Sequence, residues 1–417
     1  SALKPCPEFL DENSPQDIEV YQLTTDYETC RVVYPDRTAF LYDGRRMIVS
    51  TPDGPQVCDL DDGCSLQPLS DLIGDVKRVR LAPDGRHVVY RQGERKDDEL
   101  TLHRADLKTG VEEQIFTARG TVPGTEYPVG RLGVRTLNYD ASRGASLVYL
   151  DYNKKPNGNT GIVILDPIQN ELSVITSTPL EHSHLRYYTG PEEPEKHSLL
   201  FQHHHGHDLD KEGKRIPDVW APEHKGVDLH VVKDDGTGWS DLPFGRDGVE
   251  SCIGHQLWRW PSDEVTTIVY QNQDNSYGWA DGTRQDLVTG RPVPADPDGE
   301  HMGRIGREEH RHLLSQDLEN SRLCHLGINR SGLRFAFDTF PVWNGERAGM
   351  AIYIGEGETM HDPLEFRYLL NSGVVFNGPH SHTHAHPILS PNGEELFFTS
   401  GYYGNFQAYM VKNLPWP

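Results

Sequence analysis

SPNGEELFFTS, residues 390–400, couples a Pro-Asn-Gly turn to an apolar run too short for a helix, and its reading decides the fold. An Asn-Gly or Asp-Gly pair supplies the positive φ that a tight turn between antiparallel strands needs. Outward from it the same unit recurs as YDGRRMIVS from Tyr42, APDGRHVVYRQ from Ala82, NYDASRGASLVYLDY from Asn138, EEPEKHSLLFQ from Glu192, WPSDEVTTIVYQ from Trp260 and NRSGLRFAFDT from Asn329. Partner strands follow several copies, as in LTLHRADLKTG at Leu100, GIVILDP at Gly161, DLHVVKDDGTG at Asp228 and MAIYIGEGE at Met350. Seven antiparallel units at a spacing of about 40 to 70 residues predict an all-β chain, a seven-bladed β-propeller. DIEVYQLT, from Asp17, has no unit of its own. It is expected to add a strand to the last blade, so that roughly the first 30 residues close the ring and remove two exposed edges. The whole of residues 1–417 reads as one propeller domain, with two β-sandwich domains as the competing architecture. Helical periodicity is scarce, and the stretch around Glu308 to Leu318 is the best candidate for a short helix.

Composition limits the partners. Against 63 acidic residues stand 40 Lys and Arg, a formal charge of −23. Nucleic acids and anionic membranes need basic surfaces, so neither is expected as a partner. A short anionic ligand remains compatible where a metal ion or a few Arg make the site locally positive. No apolar run approaches a membrane span, and SALKPCPEF at the start has no basic segment leading into an apolar core. The cysteines, Cys6, Cys30, Cys58, Cys64, Cys252 and Cys324, are sparse and lack a disulfide-framework spacing. They read as buried thiols in a reducing, cytoplasmic setting, with a Cys58–Cys64 pair as the alternative and a periplasmic or secreted location if a presequence was removed. Oligomeric state leaves no trace in the sequence.

The chemistry concentrates in histidine. There are 21, gathered in EHSHLRYY (His182, His184), FQHHHGHD (His203, His204, His205, His207), IGHQLW (His255), EEHRHLL (His310, His312), LCHLG (His325) and GPHSHTHAHP (His380, His382, His384, His386). Each of these clusters is expected near a blade's first strand or the loop leading to it. Innermost strands surround the central channel of a propeller, so histidines far apart in sequence can meet there, as a metal site requires. Alternation at period two puts His380, His382, His384 and His386 on one side of an extended segment, and two ligands one residue apart can share an ion. Three consecutive histidines in FQHHHGHD cannot all point one way. For His310, His312 and His325 the expectation is a structural role. A nucleophile elbow, an H-E-x-x-H helix and a phosphate-binding loop are all missing from the sequence.

The closing segment HAHPILSPNGEELFFTSGYYGNFQAYMV resembles the final blade of the oligogalacturonate lyases, with their His-x-His-Pro lead into a Ser-Pro-Asp/Asn-Gly strand. In the same order SCIGHQLW after LHVVKDDGTG, LCHLGINRSG, EHSHLRYY with LLFQHHHG, and IEVYQLT with CRVVYPDRTAFLYDGRR are similar to segments of that family. The stretch from Tyr277 to Arg311 matches poorly. The resemblance implies a divalent metal, manganese first and zinc, nickel, iron or calcium as alternatives, held by His255, His384 and His386. Where the family has a Gln three residues before the first closing His, this chain has Ser381, so His380 or His382 is a candidate fourth ligand. The general base would be His184 or His203.

The reaction so implied is β-elimination at a 4-linked uronide in an acidic oligosaccharide, and the residue types suit it. The proton to be removed lies α to a carboxylate, and the negative charge there must be neutralised by a metal or Arg before a base can take it. Neutral imidazole, with an ordinary pKa of about 6.5, is such a base. Arg186 is a candidate carboxylate clamp, Tyr187 and Tyr188 are candidate acids, and Trp258, Trp260 and Trp343 are candidate stacking platforms for sugars. The Ser381 departure and the crowded histidines suggest a substrate other than oligogalacturonate, such as the ulvan-type or rhamnose–glucuronate linkages on which related propeller lyases act, with galacturonate and glucuronate both kept as candidate uronates. The rival readings are a non-catalytic sugar- or protein-binding propeller and a metal-dependent hydrolase or isomerase.

Overall fold

The computed structural model describes residues 3–35, 38–73, 77–92, 94–150, 159–178, 181–204, 227–245, 250–252, 254–271, 285–294, 310–315, 323–339, 349–374 and 384–417. Seven antiparallel sheets follow one another along the chain. Blade 1 holds Arg31–Val32, Arg46–Thr51, Gly54–Asp59 and Ser65–Pro68; blade 2 holds Lys77–Leu81, His87–Arg91, Glu99–Asp106 and Val111–Arg119. Blade 3 holds Thr136–Leu137, Gly144–Tyr149, Thr160–Asp166 and Glu171–Val174. Blade 4 is built on Glu181–Tyr187, Ser198–His204 and Val227–Lys233, and blade 5 on Leu257–Trp258, Val265–Gln271, Gln285–Gly290 and Arg311–Ser315. Blade 6 holds Leu323–Ile328, Arg334–Thr339, Ala351–Glu356 and Glu365–Asn371.

Blade 7 is completed from the other end of the chain. Ile388–Leu389, Leu396–Ser400 and Gln407–Lys412 are joined by Glu19–Gln22, with Glu19 opposite Lys412 and Tyr21 opposite Met410. The N-terminal strand therefore does close the last blade, and hydrogen bonds take the place of tertiary contacts alone at the seam.

What holds the ring together is the two-residue period of its strands. Successive side chains point to opposite faces, so each buried strand feeds two cores. Phe398 packs towards blade 6 with Met350 and Ile352, whereas its neighbour Phe397 packs towards blade 1 with Met47 and Val49. Leu199 and Leu200 divide in the same way between the seams of blade 4 with blades 3 and 5. The seven core clusters coincide with the seven seams between neighbouring blades, so none of these sheets is buried alone.

The expected helix near Glu308 is instead a strand. Arg311–Ser315 is the outer strand of blade 5, with His312 opposite Thr289 and Leu313 opposite Val288. Leu314 enters the seam with blade 6, while Leu313 leans on the seam with blade 4. A pair of adjacent leucines that suggests a helical stripe is serving two sheet faces. All six cysteines are buried free thiols, Cys58 and Cys64 included. Among the described residues no helix is long and apolar enough to cross a membrane.

Candidate metal and catalytic centre

Blades 4 to 7 each bring a histidine to the start of the innermost strand, and the backbone there is unusual. Among the described residues, eight non-glycine positions have positive φ, and three of them are His184 (46°), His255 (59°) and His386 (50°). Such a conformation costs of order 1–3 kcal/mol and persists where the surroundings impose it, most often at functional sites. The inner strand of blade 4 has a register shift between Ser183 and Arg186, and that of blade 6 one between Leu323 and Leu326. His184 and His325 sit within these bulges, which re-aim side chains that a regular strand would send into a seam. Gly327 allows the close approach that follows, since a Cβ there would lie 2.5 Å from the carbonyl oxygen of Pro387.

These residues meet. The rings of His255 and His325 stack at 4.0 Å, and His325 lies 4.7 Å from His384 and 4.4 Å from His386. His384 and His386 are 5.6 Å apart with nearly parallel planes, and His184 is 5.3 Å from His255. Tyr34, from blade 1, is in ring contact with His184, His255, His325 and His386, the last at 4.6 Å.

Hydrogen bonds orient two of the rings. Carbonyl oxygens only accept, so Nδ1–H of His255 donates to the Cys324 carbonyl at 2.9 Å and its Nε2 carries the lone pair. By the same logic Nδ1–H of His325 donates to Asp338 at 3.1 Å. The fully buried Asp338 carboxylate also accepts the backbone N–H of His325 at 2.7 Å and of His386 at 3.0 Å. A carboxylate behind a histidine is the usual support of a metal ligand. Ligand atoms of His325, Asp338 and His384 lie within 4.8 Å of one another, as do those of His255, Cys324 and His325.

Protonation favours ligation. Burial pushes His255 and His325 well below the ordinary imidazole value, and charge on neighbouring histidines pushes the same way. His384 is lowered by burial, with Asp338 opposing. Neutral imidazoles are the form that binds metal. The Cys324 thiol is raised by burial and by Asp338, and it contacts Nδ1 of His384 at 3.6 Å.

The other residues singled out from the sequence fall in several places. Arg186 is buried, lines the central channel, and acts electrostatically on His325. The ring contacts described for His203 are with His182, Phe201, His230 and Trp239, inside blade 4. Tyr188 packs edge-on against Trp258 in the core between blades 4 and 5, and burial raises its phenol. Its neighbour Tyr187 is likewise buried and reaches Asp234 at 3.3 Å. Trp260 lines the channel, with Arg330 over its ring. His380, His382, Ser381 and Trp343 lie outside the described residues, as do His205 and His207.

His325, for which a structural role is expected, has its ring at the middle of the cluster. A signal was present: His325 and His386 each stand seven residues before a turn glycine, Gly332 and Gly393. Arg78 stands the same distance before Gly85 and also has positive φ, 56°. Asp338 and Tyr34 carried no comparable mark.

Residues two positions beyond the central imidazoles, Arg186, Leu257, Gly327 and Ile388, line a channel of about 500 Å³. Arg78, Arg80, Arg135 and Arg330 line it as well. With Arg186 that makes five guanidinium groups against one acid, Asp84, an excess of positive charge within a chain of net charge −23.

Comparison with known proteins agrees on the fold. No family model matches the chain, and no curated protein matches it in sequence. Among solved structures, an oligogalacturonate lyase from Vibrio parahaemolyticus superposes with a TM-score of 0.66 at 18% identity, covering 100% of this chain and 98% of that one. An oligogalacturonate lyase in complex with manganese gives a TM-score of 0.66 at 16% identity, over 100% and 97% of the two chains. The tricorn protease matches at a TM-score of 0.50 and 11% identity, over 96% of this chain and 34% of its own. At these identities the likeness is one of architecture.

Proposed function

We propose that this chain is a metal-dependent lyase that cleaves 4-linked uronic acid glycosides in short acidic oligosaccharides by β-elimination. The observation that carries this reading is the convergence of His184, His255, His325, His384 and His386, with Arg186, which acts on His325, also lining the arginine-rich channel. The donor chemistry fits a divalent cation: burial favours the neutral form of His255, His325 and His384, two rings are oriented from behind, and strained backbone is maintained at three of the positions. His325, His384 and His386 would hold the ion, tied together through Asp338, with His255 beside them as a further imidazole. Manganese has the support of the similar fold crystallised with it, and zinc, nickel or iron suit imidazole donors equally. Calcium prefers oxygen and suits this set least. When bound, the cation supplies positive charge next to the sugar carboxylate, which makes the α-proton removable.

The chain's own groups account for the rest. Arg186 pairs with the same carboxylate and orients the ring. His184, at the edge of the cluster next to His255, takes the C5 proton as the base. Tyr34, in contact with four of the imidazoles, delivers a proton to the leaving oxygen at C4. The C5–H and C4–O bonds break, a C4–C5 double bond forms, and the proton count balances between base and acid. His203 and Tyr188, packed inside blade 4 and its seam, serve the fold in this scheme.

The decisive experiment is a panel of galacturonate, glucuronate and ulvan-type oligosaccharides, followed by the ultraviolet absorbance of the conjugated unsaturated uronide, with and without chelator. Elimination leaves the summed product mass unchanged. Products heavier by one water would replace this reading with a hydrolase, and a chelator-insensitive reaction would remove the metal from it.

A further inference from the structure

Among the described residues, two more groups of metal-type side chains come together outside the central cluster. The first, His203, Asp228 and His230, is explained without an ion. His230 is fully buried between Asp228 at 3.3 Å and Asp241 at 3.0 Å. Burial pulls its imidazolium down, but the two carboxylates outweigh that and carry it up to about 9. A doubly engaged imidazolium has no lone pair to offer.

The second group is different. We propose that Glu264, His312 and His361 form a second divalent-metal site, of the zinc-binding kind, which staples blade 5 to blade 6 at the rim of the ring. Glu264 immediately precedes the second strand of blade 5, His312 lies on that blade's outer strand, and His361 comes from the turn between the last two strands of blade 6. The two imidazoles stack at 3.7 Å with planes 13° apart, and Nε2 of His361 is 2.7 Å from Oε1 of Glu264. One ligand atom from each of the three lies within 4.8 Å of the others. The edge of a tetrahedral zinc shell is about 3.3 Å. The closing movement needed falls on His361, whose side chain is 45% exposed, while the Glu264 carboxylate is 1% exposed and fixed.

That carboxylate is already oriented. Its second oxygen, Oε2, accepts from Thr289 Oγ1 at 3.3 Å, and Thr289 in turn receives Thr266 Oγ1 at 3.2 Å. Thr289 is also the residue opposite His312 in the sheet, so one register fixes two of the three ligands. The backbone next to His361 is held from the other blade, where buried Arg259 donates to the carbonyls of Gly332 at 2.7 Å and of Met360. Burial, then His361, lower the His312 imidazole, which keeps its lone pair available. Arg259 and Arg291 face Glu264 and oppose a cation; Asp263 draws Arg291 aside at 3.1 Å. Two imidazoles, one carboxylate and an open side are the donor set of borderline ions such as zinc, and a poor one for calcium or magnesium.

The test counts zinc on the full chain. Protein stripped with chelator is loaded with zinc by equilibrium dialysis, and bound metal is measured by mass spectrometry for wild type, His361→Ala, His312→Ala and His384→Ala. Each rim variant should hold one zinc fewer than wild type and lose part of the zinc-dependent rise in Tm, with uronide turnover unchanged. His384→Ala, which affects the central cluster alone, should keep the rim ion and the part of the Tm rise that His361→Ala loses. A full wild-type zinc count in either rim variant overturns the site. Because the His361 side chain is nearly half exposed, its loss is compatible with folding, and the outcome does not depend on whether the chain is a lyase.

Discussion

The rings of His325 and His386 stand 4.4 Å apart at 85°, and one buried carboxylate holds both: Asp338 accepts the imidazole N–H of His325 and the backbone N–H of His386. A residue of the second strand of blade 6 thus fixes the first strands of blades 6 and 7 relative to each other. Asp338→Asn keeps the shape but weakens both bonds. Metal affinity at the centre is expected to fall 10- to 100-fold, the usual effect of losing a partner behind a ligand. Competition with a chelating dye reads this directly, and unchanged affinity would detach Asp338 from the centre.

Separate roles for the central histidines predict separable losses. His386→Ala and His325→Ala are expected to lose the central ion and turnover together. His184→Ala should retain the ion and lose turnover by at least about 100-fold, the lower range for a positioned acid or base. His203→Ala should alter stability and leave the residual rate per folded molecule near wild type. Metal content and single-turnover rates measured on the same preparations distinguish these patterns. A metal-free but active His386→Ala would end the assignment.

Much of the fold was legible because turns and alternation are local. Gly- or Asp-containing turns mark six of the seven second strands, a Pro-containing turn before Ser198 marks the other, and Asp17–Thr24 showed itself by having no unit of its own. The centre was legible where histidines crowd along one strand, as with His384 and His386. It was not legible at Tyr34 and Asp338, which come from blades 1 and 6 and acquire meaning only when the ring closes. His325 looked structural because a lone His beside an apolar run usually is, and only the bulge after Leu323 turns it inward. Arg311–Ser315 was misread because paired leucines satisfy a helical stripe and a two-faced strand equally well.

Backbone strain at the base position has a measurable consequence. His184 has φ 46°, a conformation that costs an L side chain about 1–2 kcal/mol and glycine nothing. His184→Gly and His184→Ala both remove the imidazole, so their difference isolates the backbone. Allowing for the extra freedom of glycine in the unfolded chain, the glycine variant should be the more stable by about 1 kcal/mol. Urea unfolding of the two gives the comparison. An alanine variant as stable as the glycine one would mean that the backbone relaxes out of the left-handed region once the ring is gone.

The buried ion triplet of blade 4 predicts how stability responds to alkali. His230 is raised to about 9 by Asp228 and Asp241, against the opposing effect of burial, while in the unfolded chain it returns to about 6.5. Between these values the folded state holds a proton that the unfolded state has released, so stability must fall as pH rises through that window. The contribution is complete below about pH 6.5 and lost as pH passes about 9; the separation corresponds to roughly 3 kcal/mol. His230→Gln removes the titrating group but leaves Asp228 and Asp241 without their cation. Its destabilisation relative to wild type should therefore be large at pH 6 and shrink markedly by pH 9.5, as read by urea unfolding at the two pH values. A difference that stays constant across the window would mean that His230 is neutral in the folded protein, and the lone pair so freed would reopen that cluster to metal.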